Sequence, residues 1–433
     1  MRFSIFTPSH DLRHIDRPLQ SLKAQSFKDF EWVLLLNGQA LTQKDSLEQK
    51  IKKTGINYRF VDFFQVNNTN IGYLKNECCN SAVGEILVEL DHDDELEPNC
   101  LDELHDTFSA NALLDFVYSD AFTVRVKDGE EHYETPFSPH WGWTIAEAEV
   151  TSNGEQKKVK YQPTFEPSPQ SFSYIWYAPN HVRAWKAEFY RSIGGHDVAM
   201  DICDDHDLLC RTYINGFCKR IDKPLYKYYL HEDNTAYGEK NKKIQEVTQT
   251  LHDQYIQEMA CKWSDLNSLK KIDLCSANNK PEGFTGIDKR KLNDEDIVFD
   301  LDDPNWPFED GSVGVFRAQD AVEHMKDPIN TMKEIYRCLA PNGWALIDVP
   351  STDGRGAFQD PTHVSFWNSN SFWYYTSRSH SHFIGSPVKF QLNRVLDHHP
   401  DQYHEFHKIA YTRAHLVKLS DDPKDVPPNG RQI

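Results

Sequence analysis

The chain has 433 residues, a formal net charge of -19 and nine cysteines. That length predicts two or three domains with ample core. No run approaches the ~18 apolar residues of a membrane span, and the acidic balance opposes broad attraction to nucleic acid or anionic lipid. The cysteines are scattered without C-x-x-C spacing, which argues against a disulfide framework or a zinc site. Met1 to Phe6 reads as a strand rather than a signal peptide, so a cytoplasmic protein without a transmembrane segment is expected.

Taken in order, Phe3–Pro8 is a predicted strand, Arg17–Gln25 a helix, and Trp32–Leu36 an apolar strand ending at Asn37-Gly38. Asn57–Val61 is a third strand, Gly72–Ser81 a helix, and Ile86-Leu87-Val88 a strand that runs into Glu89-Leu90-Asp91-His92-Asp93-Asp94-Glu95. A helix over 99–107 leads to a strand at Asp115–Asp120. Apolar strands alternating with helices predict a parallel, doubly wound α/β sheet, which binds ligands beyond the carboxyl ends of its strands. A strand that delivers two or three carboxylates to its tip suits a divalent cation held against a diphosphate, because magnesium and manganese take oxygen ligands.

Residues 121–178 break the rhythm. They are rich in proline and in rings (Trp141, Trp143, Tyr161, Phe165, Phe172, Tyr174, Trp176, Tyr177), with a hairpin turn expected at Ser152-Asn153-Gly154. Such rings serve either as core or as an acceptor groove. Helix is expected again over 186–211 and from Lys240 to Met259, where Ile244, Val247, Leu251, Tyr255 and Met259 form a stripe. The polar stretch 263–270 reads as a linker between a domain at 1–262 and another at 271–420, with a polar tail over 421–433.

A second acidic cluster, Asp204-Asp205-His206-Asp207-Leu208, follows Gly194-Gly195-His196-Asp197. With Thr7-Pro8, Ser21–Phe27, Lys75-Asn76, Asp91-His92-Asp93 and Tyr228–Asn234, it stands in the order of the inverting family-2 glycosyltransferases of GT-A fold, which residues 1–235 resemble. The resemblance implies that Asp91, Asp93 and His231 hold Mn2+ or Mg2+ on a nucleoside-diphosphate sugar and that Asp205 is the general base. It also implies that Thr7, Pro8, Asn37, Asn76 and His92 contact the donor. Two positions depart from the family: Leu36-Asn37-Gly38 stands where an Asp pair is usual, and Asp204 replaces Glu.

In the second half, strands are expected at Lys271–Ser276, Gly283–Asp288 and Val313–Phe316, with a helix at Ile329–Cys338 that leads to Leu339–Pro350. Glu323-His324, Arg337–Gly343 and Asp360-Pro361-Thr362-His363 give residues 268–420 a resemblance to the S-adenosylmethionine-dependent methyltransferases, with a Rossmann-like fold. That resemblance implies cofactor contacts at Asp273, Asp288 and Asp320. The first turn, Cys275-Ser276-Ala277-Asn278, lacks the glycines that let a backbone approach a nucleoside, so a degenerate scaffold and an active methyltransferase both stay open. Seven histidines lie between His380 and His415; most are expected on exposed loops or edges.

Two acceptors follow from this reading: a polysaccharide hydroxyl, or a hydroxymethylated pyrimidine in DNA gripped by Arg183, Lys186, Lys219, Arg220 and Lys223. A non-catalytic sugar- or nucleotide-binding protein is the reading of another class. Oligomeric state is not legible in the sequence.

Overall fold

The apolar runs at Phe3–Ser9 (β1) and Phe30–Leu36 (β2) are buried at every position, as inner strands covered on both faces require. The computed structural model describes residues 1–419 except 63–68, 134–142, 153, 176–177, 232–238, 292–295 and 389. The chain divides into two units, Met1–Ile256 and Gln257–Ile433.

In the first unit the strands continue with Asn57–Phe60 (β3), Ile86–Glu89 (β4), Glu95–Leu96 (β5), Phe116–Arg125 (β6), Ala146–Ser152 (β7), Glu155–Tyr161 (β8), Arg183–Lys186 (β9) and Cys218–Leu230 (β10). Helices are Asp16–Ala24 (α1), Lys44–Lys52 (α2), Ile71–Ser81 (α3), Cys100–Ala110 (α4), Pro169–Ser173 (α5), Ala187–Ser192 (α6), Asp204–Asn215 (α7) and Glu239–Leu266 (α8). The main sheet has the order β3-β2-β1-β4-β9-β6-β10-β5. It is not wholly parallel, as the alternation of strands and helices had suggested. β9 runs antiparallel between β4 and β6, and β5 antiparallel to β10.

The expected helix over 186–211 is in fact β9, α6 and α7, split by a glycine-rich loop. β10 escapes the apolar pattern because Lys219, Arg220, Asp222 and Lys223 interrupt it, and its pairing with β6 shifts register around Pro224, as a strand must where proline removes a donor. β7 and β8 form the expected hairpin, paired from Ala146↔Tyr161 to Ser152↔Glu155. The stretch read as a linker is helical through Leu266, and the next strand starts at Lys270.

The second unit carries Lys270–Leu274 (β11), Thr285–Asp288 (β12), Ile297–Val298 (β13), Val313–Gln319 (β14), Leu339–Pro350 (β15), Phe390–His398 (β16) and Tyr411–Lys418 (β17), with the helix Pro328–Cys338 (α9). The order is β13-β12-β11-β14-β15-β17-β16. The strands are parallel from β13 to β15, and β17 is antiparallel to both its neighbours. The α9 N-terminus is capped by Asp327, whose carboxylate accepts from the amides of Ile329 and Asn330. Among the described residues no helix is long and apolar enough to cross a membrane, and all nine cysteines are free.

Candidate functional site

One cavity of about 720 Å³ opens at the carboxyl ends of β1, β2 and β4, the end at which parallel strands present ligand-binding loops. The turn after β4 contributes Asp91, His92 and Asp93; the end of β10 contributes His231; the first turn of α7 contributes Asp204 and Asp205. Cys203, with φ 58°, turns the chain into α7, so both aspartates meet the free amides of a helix start, where carboxylates are favoured. Thus three elements bring the expected Asp91, Asp93, His231 and Asp205 to one space.

The charges balance in layers. Lys75, from α3, also lines the cavity, with Nζ 2.6 Å from Glu89 Oε1 and 3.5 Å from Asp204 Oδ2. Arg183, at the start of β9, donates to Asp205 Oδ2 at 2.8 Å and lies 3.5 Å from Glu89 Oε2. Against the cost of burial, these two cations hold Glu89 and Asp205 well below the usual carboxylate range. Asp91 receives less help. Burial pushes its carboxyl up to about 7, with Lys75 opposing and Glu89 and Asp93 adding to the rise. His231 Nε2 stands 2.7 Å from Asp93 Oδ2. His181, stacked on Tyr226, lies 3.9 Å from Asp91, and burial drives its imidazole down to about 3, so it is neutral. Two carboxylates and a neutral-capable imidazole, one acid short of a counter-charge, form a donor set that fits a hard or borderline divalent cation.

Asp94 is excluded from this group. It accepts from the Tyr226 hydroxyl at 2.9 Å and the Tyr229 amide at 2.8 Å, which ties the turn to β10. Arg17 secures the same turn by donating to the Asp93 carbonyl at 2.9 Å.

Of the residues expected to touch the donor, Pro8, Asn37 and His92 line the cavity. Thr7 does not: its hydroxyl donates to the Leu90 carbonyl at 2.7 Å and accepts from Trp32 Nε1 at 2.9 Å. Asn76 does not either; its amide donates to the His196 carbonyl at 2.9 Å. Both hold the loops that carry the acids. The α3 start sits so close to the loop before α7 that a Cβ at Gly72 would fall 2.0 Å from the Asp197 carbonyl oxygen. Asn37 Oδ1 is buried without a hydrogen-bond partner.

Sequence reasoning missed Glu89, Lys75, His181 and the place of Arg183. The residues were visible, but nothing in their spacing shows that they are buried against one another. Four of the five cations assigned to a surface groove are spent elsewhere, and Lys219 is exposed. Arg183 is buried at Asp205, Arg220 pairs with Asp120, Glu166 and Asp222, Lys223 with Glu103, and Lys186 donates to the Ala112 carbonyl. The rings of 121–178 fill core: Phe172 packs on Phe116, Tyr118 and Tyr213, and Trp143 on Phe165. None of the described rings in that segment lines the cavity; Trp141, Trp176, Tyr177 and the 232–234 part of the last motif lie outside the described residues.

In the second unit the three acids expected at a cofactor are already engaged. Asp273 accepts from Arg317 at 2.8 Å, Asp288 from the Arg290 amide at 2.9 Å, and Asp320 from the Tyr411 hydroxyl at 2.7 Å. The turn after β11 holds Cys275 and Ala277 at φ 50° and 41°, a left-handed backbone that glycine would adopt without strain. The late histidines are less exposed than expected: His415 is buried on β17, and His398 lies 3.0 Å from Asp348.

Residues 4–165 match the family described as Glycosyl transferase family 2, and residues 255–399 match a Methyltransferase domain. No curated protein matches. Among solved structures, TarS 1–349 of S. aureus in complex with UDP-GlcNAc is 17% identical, covering 61% of this chain and 73% of that one, with a TM-score of 0.42. The mannosyltransferase PcManGT of Pyrobaculum calidifontis, in complex with GDP-Man and Mn2+, is 13% identical over 62% and 75%, with a TM-score of 0.38. Residues 4–165 are thus of family-2 glycosyltransferase type and residues 255–399 of methyltransferase type.

Proposed function

We propose that the chain moves a sugar from a nucleoside-diphosphate donor to an acceptor hydroxyl, with inversion and with a divalent metal. The convergence of Asp91, Asp93, His231 and Asp205 on one cavity supports this reading. Asp91, Asp93 and His231 would hold Mn2+ or Mg2+. When bound, the metal neutralises charge on the leaving diphosphate as a Lewis acid. The orphaned Asn37 carbonyl oxygen suits an N–H of the donor base, and His92 and Pro8 bound the same side of the cavity.

Asp205 is the general base. Arg183 keeps it ionised, which makes it a constant acceptor but a weak one. The acceptor hydroxyl therefore gives up its proton late, once its oxygen is bonding to the anomeric carbon and has become acidic. The proton passes to Asp205, the glycosidic C–O bond to the diphosphate breaks, and no bond to the protein forms. Proton NMR of the product from an α-linked donor tests this: a β-linkage is expected, and a retained α-linkage would overturn it.

The acceptor is read as a glycan hydroxyl. The net charge of -19 and the pairing of Arg183, Arg220 and Lys223 with carboxylates leave little for phosphates to bind. Steep salt dependence of binding to hydroxymethylated DNA would reverse that choice. The methyltransferase-type domain is read as a scaffold that does not take S-adenosylmethionine, because side chains occupy its first turn and its acids are engaged. Tight cofactor binding by calorimetry would contradict this. The domain limits are read as 1–262 and 271–420, with the segment between them as the connection.

A further inference from the structure

Away from the sugar-transfer cavity, the second unit buries a carboxylate that no donor answers. Glu323 sits in the single turn Val322–His324 after β14, is 2% exposed, and has no hydrogen-bond partner on either carboxylate oxygen. A buried acid without a partner is costly, and native folds rarely keep one without a reason.

Two imidazoles face it. His363 Nε2 lies 3.9 Å from Glu323 Oε1, and one ligand atom from each of Glu323, His324 and His363 falls within 4.8 Å of the others. Both rings are set in the tautomer a metal needs. His363 Nδ1 is 3.0 Å from the Ala357 carbonyl, which can only accept, so Nδ1 carries the proton and Nε2 keeps its lone pair. His324 Nδ1 is 3.2 Å from both the Thr362 carbonyl and the Thr362 hydroxyl. That hydroxyl gives its own proton to Asp360 at 2.7 Å. His324 Nδ1 is therefore the donor here too, and its Nε2 is free to ligate. Histidines that ligate metals donate their other nitrogen to a carbonyl or carboxylate in this way.

We propose that Glu323, His324 and His363 form a divalent-cation site, with zinc the best match to two imidazoles and one carboxylate. Bonds of about 2.0–2.1 Å to a tetrahedral ion bring ligand atoms to about 3.3 Å from one another, so the three side chains close by roughly an ångström on binding. Three protein ligands leave one position for water or an acceptor atom, the arrangement of reactive rather than purely structural zinc. The sequence splits the set, with 38 positions between His324 and Thr362.

The test uses the full chain carrying Asp93→Ala, which disables the metal set proposed for sugar transfer, so that the two sites are judged separately. Zn2+ is titrated in competition with a chromophoric chelator, and Co2+ is added in parallel to read its ligand-field absorption. One equivalent of Zn2+ and an intense Co2+ spectrum are expected, with affinity falling at least tenfold in His363→Gln and in Glu323→Gln. Glu323→Gln keeps the shape of the side chain, so its circular dichroism stays that of the parent and it decides the matter if His363→Gln fails to fold. No uptake by the Asp93→Ala chain, or unchanged affinity in Glu323→Gln, would overturn the site.

Discussion

At the carboxyl ends of the first sheet, Asp91, Asp93 and Asp205 open onto one cavity, which Lys75 and Arg183 also line. At the matching ends of the second sheet, Asp273, Asp288 and Asp320 are each taken up by a neighbour within the fold. The two regions use the same residue type on similar strand-turn geometry. In the first region the acids share one cavity with two buried cations, whereas in the second each acid is taken up singly.

The strongest way to break the comparison is a matched pair of substitutions. Asp205→Asn is expected to lower kcat for sugar transfer by about 10²–10⁴-fold, the usual contribution of a general base, with donor affinity little changed. Asp273→Asn, in the second unit, is expected to leave transfer untouched. Full activity in Asp205→Asn would return the chain to the class of binding proteins.

The buried cations come next. Lys75→Met removes the cation that Glu89 and Asp204 share, leaving Glu89 with Arg183 at 3.5 Å, and removing one partner of a buried ion pair costs about 3–5 kcal/mol. Chemical denaturation should show a loss of that size. A near-neutral result would mean that the layered charge balance described here is not what holds the site.

Glu97 offers a contrast within the first unit, a buried acid away from the cavity. It accepts from the Thr151 amide at 2.7 Å, yet burial pushes its carboxyl up to about 7. A raised acid means that the native state binds the proton more tightly than the unfolded chain. Its contribution is therefore full below the ordinary carboxyl range, near pH 4, and is lost as pH rises to about 7. Glu97→Gln should remove that loss, leaving the variant about 2–3 kcal/mol more stable than the parent at pH 8 and no more stable at pH 4. Equal stability at both values would contradict it.

The smallest effect sharpens the second half of the comparison. Ala277→Gly relieves a left-handed alanine and should raise stability by about 0.5–1 kcal/mol. If side chains in this turn are what exclude a nucleoside, the double change with Cys275→Gly should also raise affinity for S-adenosylmethionine. Unchanged affinity would move the blame to the engaged acids.

Much of this was legible beforehand for a plain reason. Strands such as Trp32–Leu36 and Ile86–Val88 are continuous apolar runs, and Asp91-His92-Asp93 marks the tip of one of them. β9 was not legible, because four residues with two cations look like a helix start, and β10 was hidden by its charges and Pro224. The site acids were readable from their order along the chain. Lys75 and Arg183 were not, since a lysine in a helix and an arginine after a loop read as surface until the fold buries them. Thr7 and Asn76 show the opposite error: motif residues that serve the site by bracing loops rather than by touching the donor. Glu323 and His363 belong to two separate motifs, and only folding brings them together.

The most direct test of the central claim is donor hydrolysis over a panel of nucleotide sugars, with Mn2+ or with chelator, on the parent chain and Asp93→Ala. Metal-dependent release of one nucleoside diphosphate, abolished by Asp93→Ala, is the expected result. Release that persists in the chelator or in Asp93→Ala would contradict the assignment of Asp91, Asp93 and His231 as the metal-holding set.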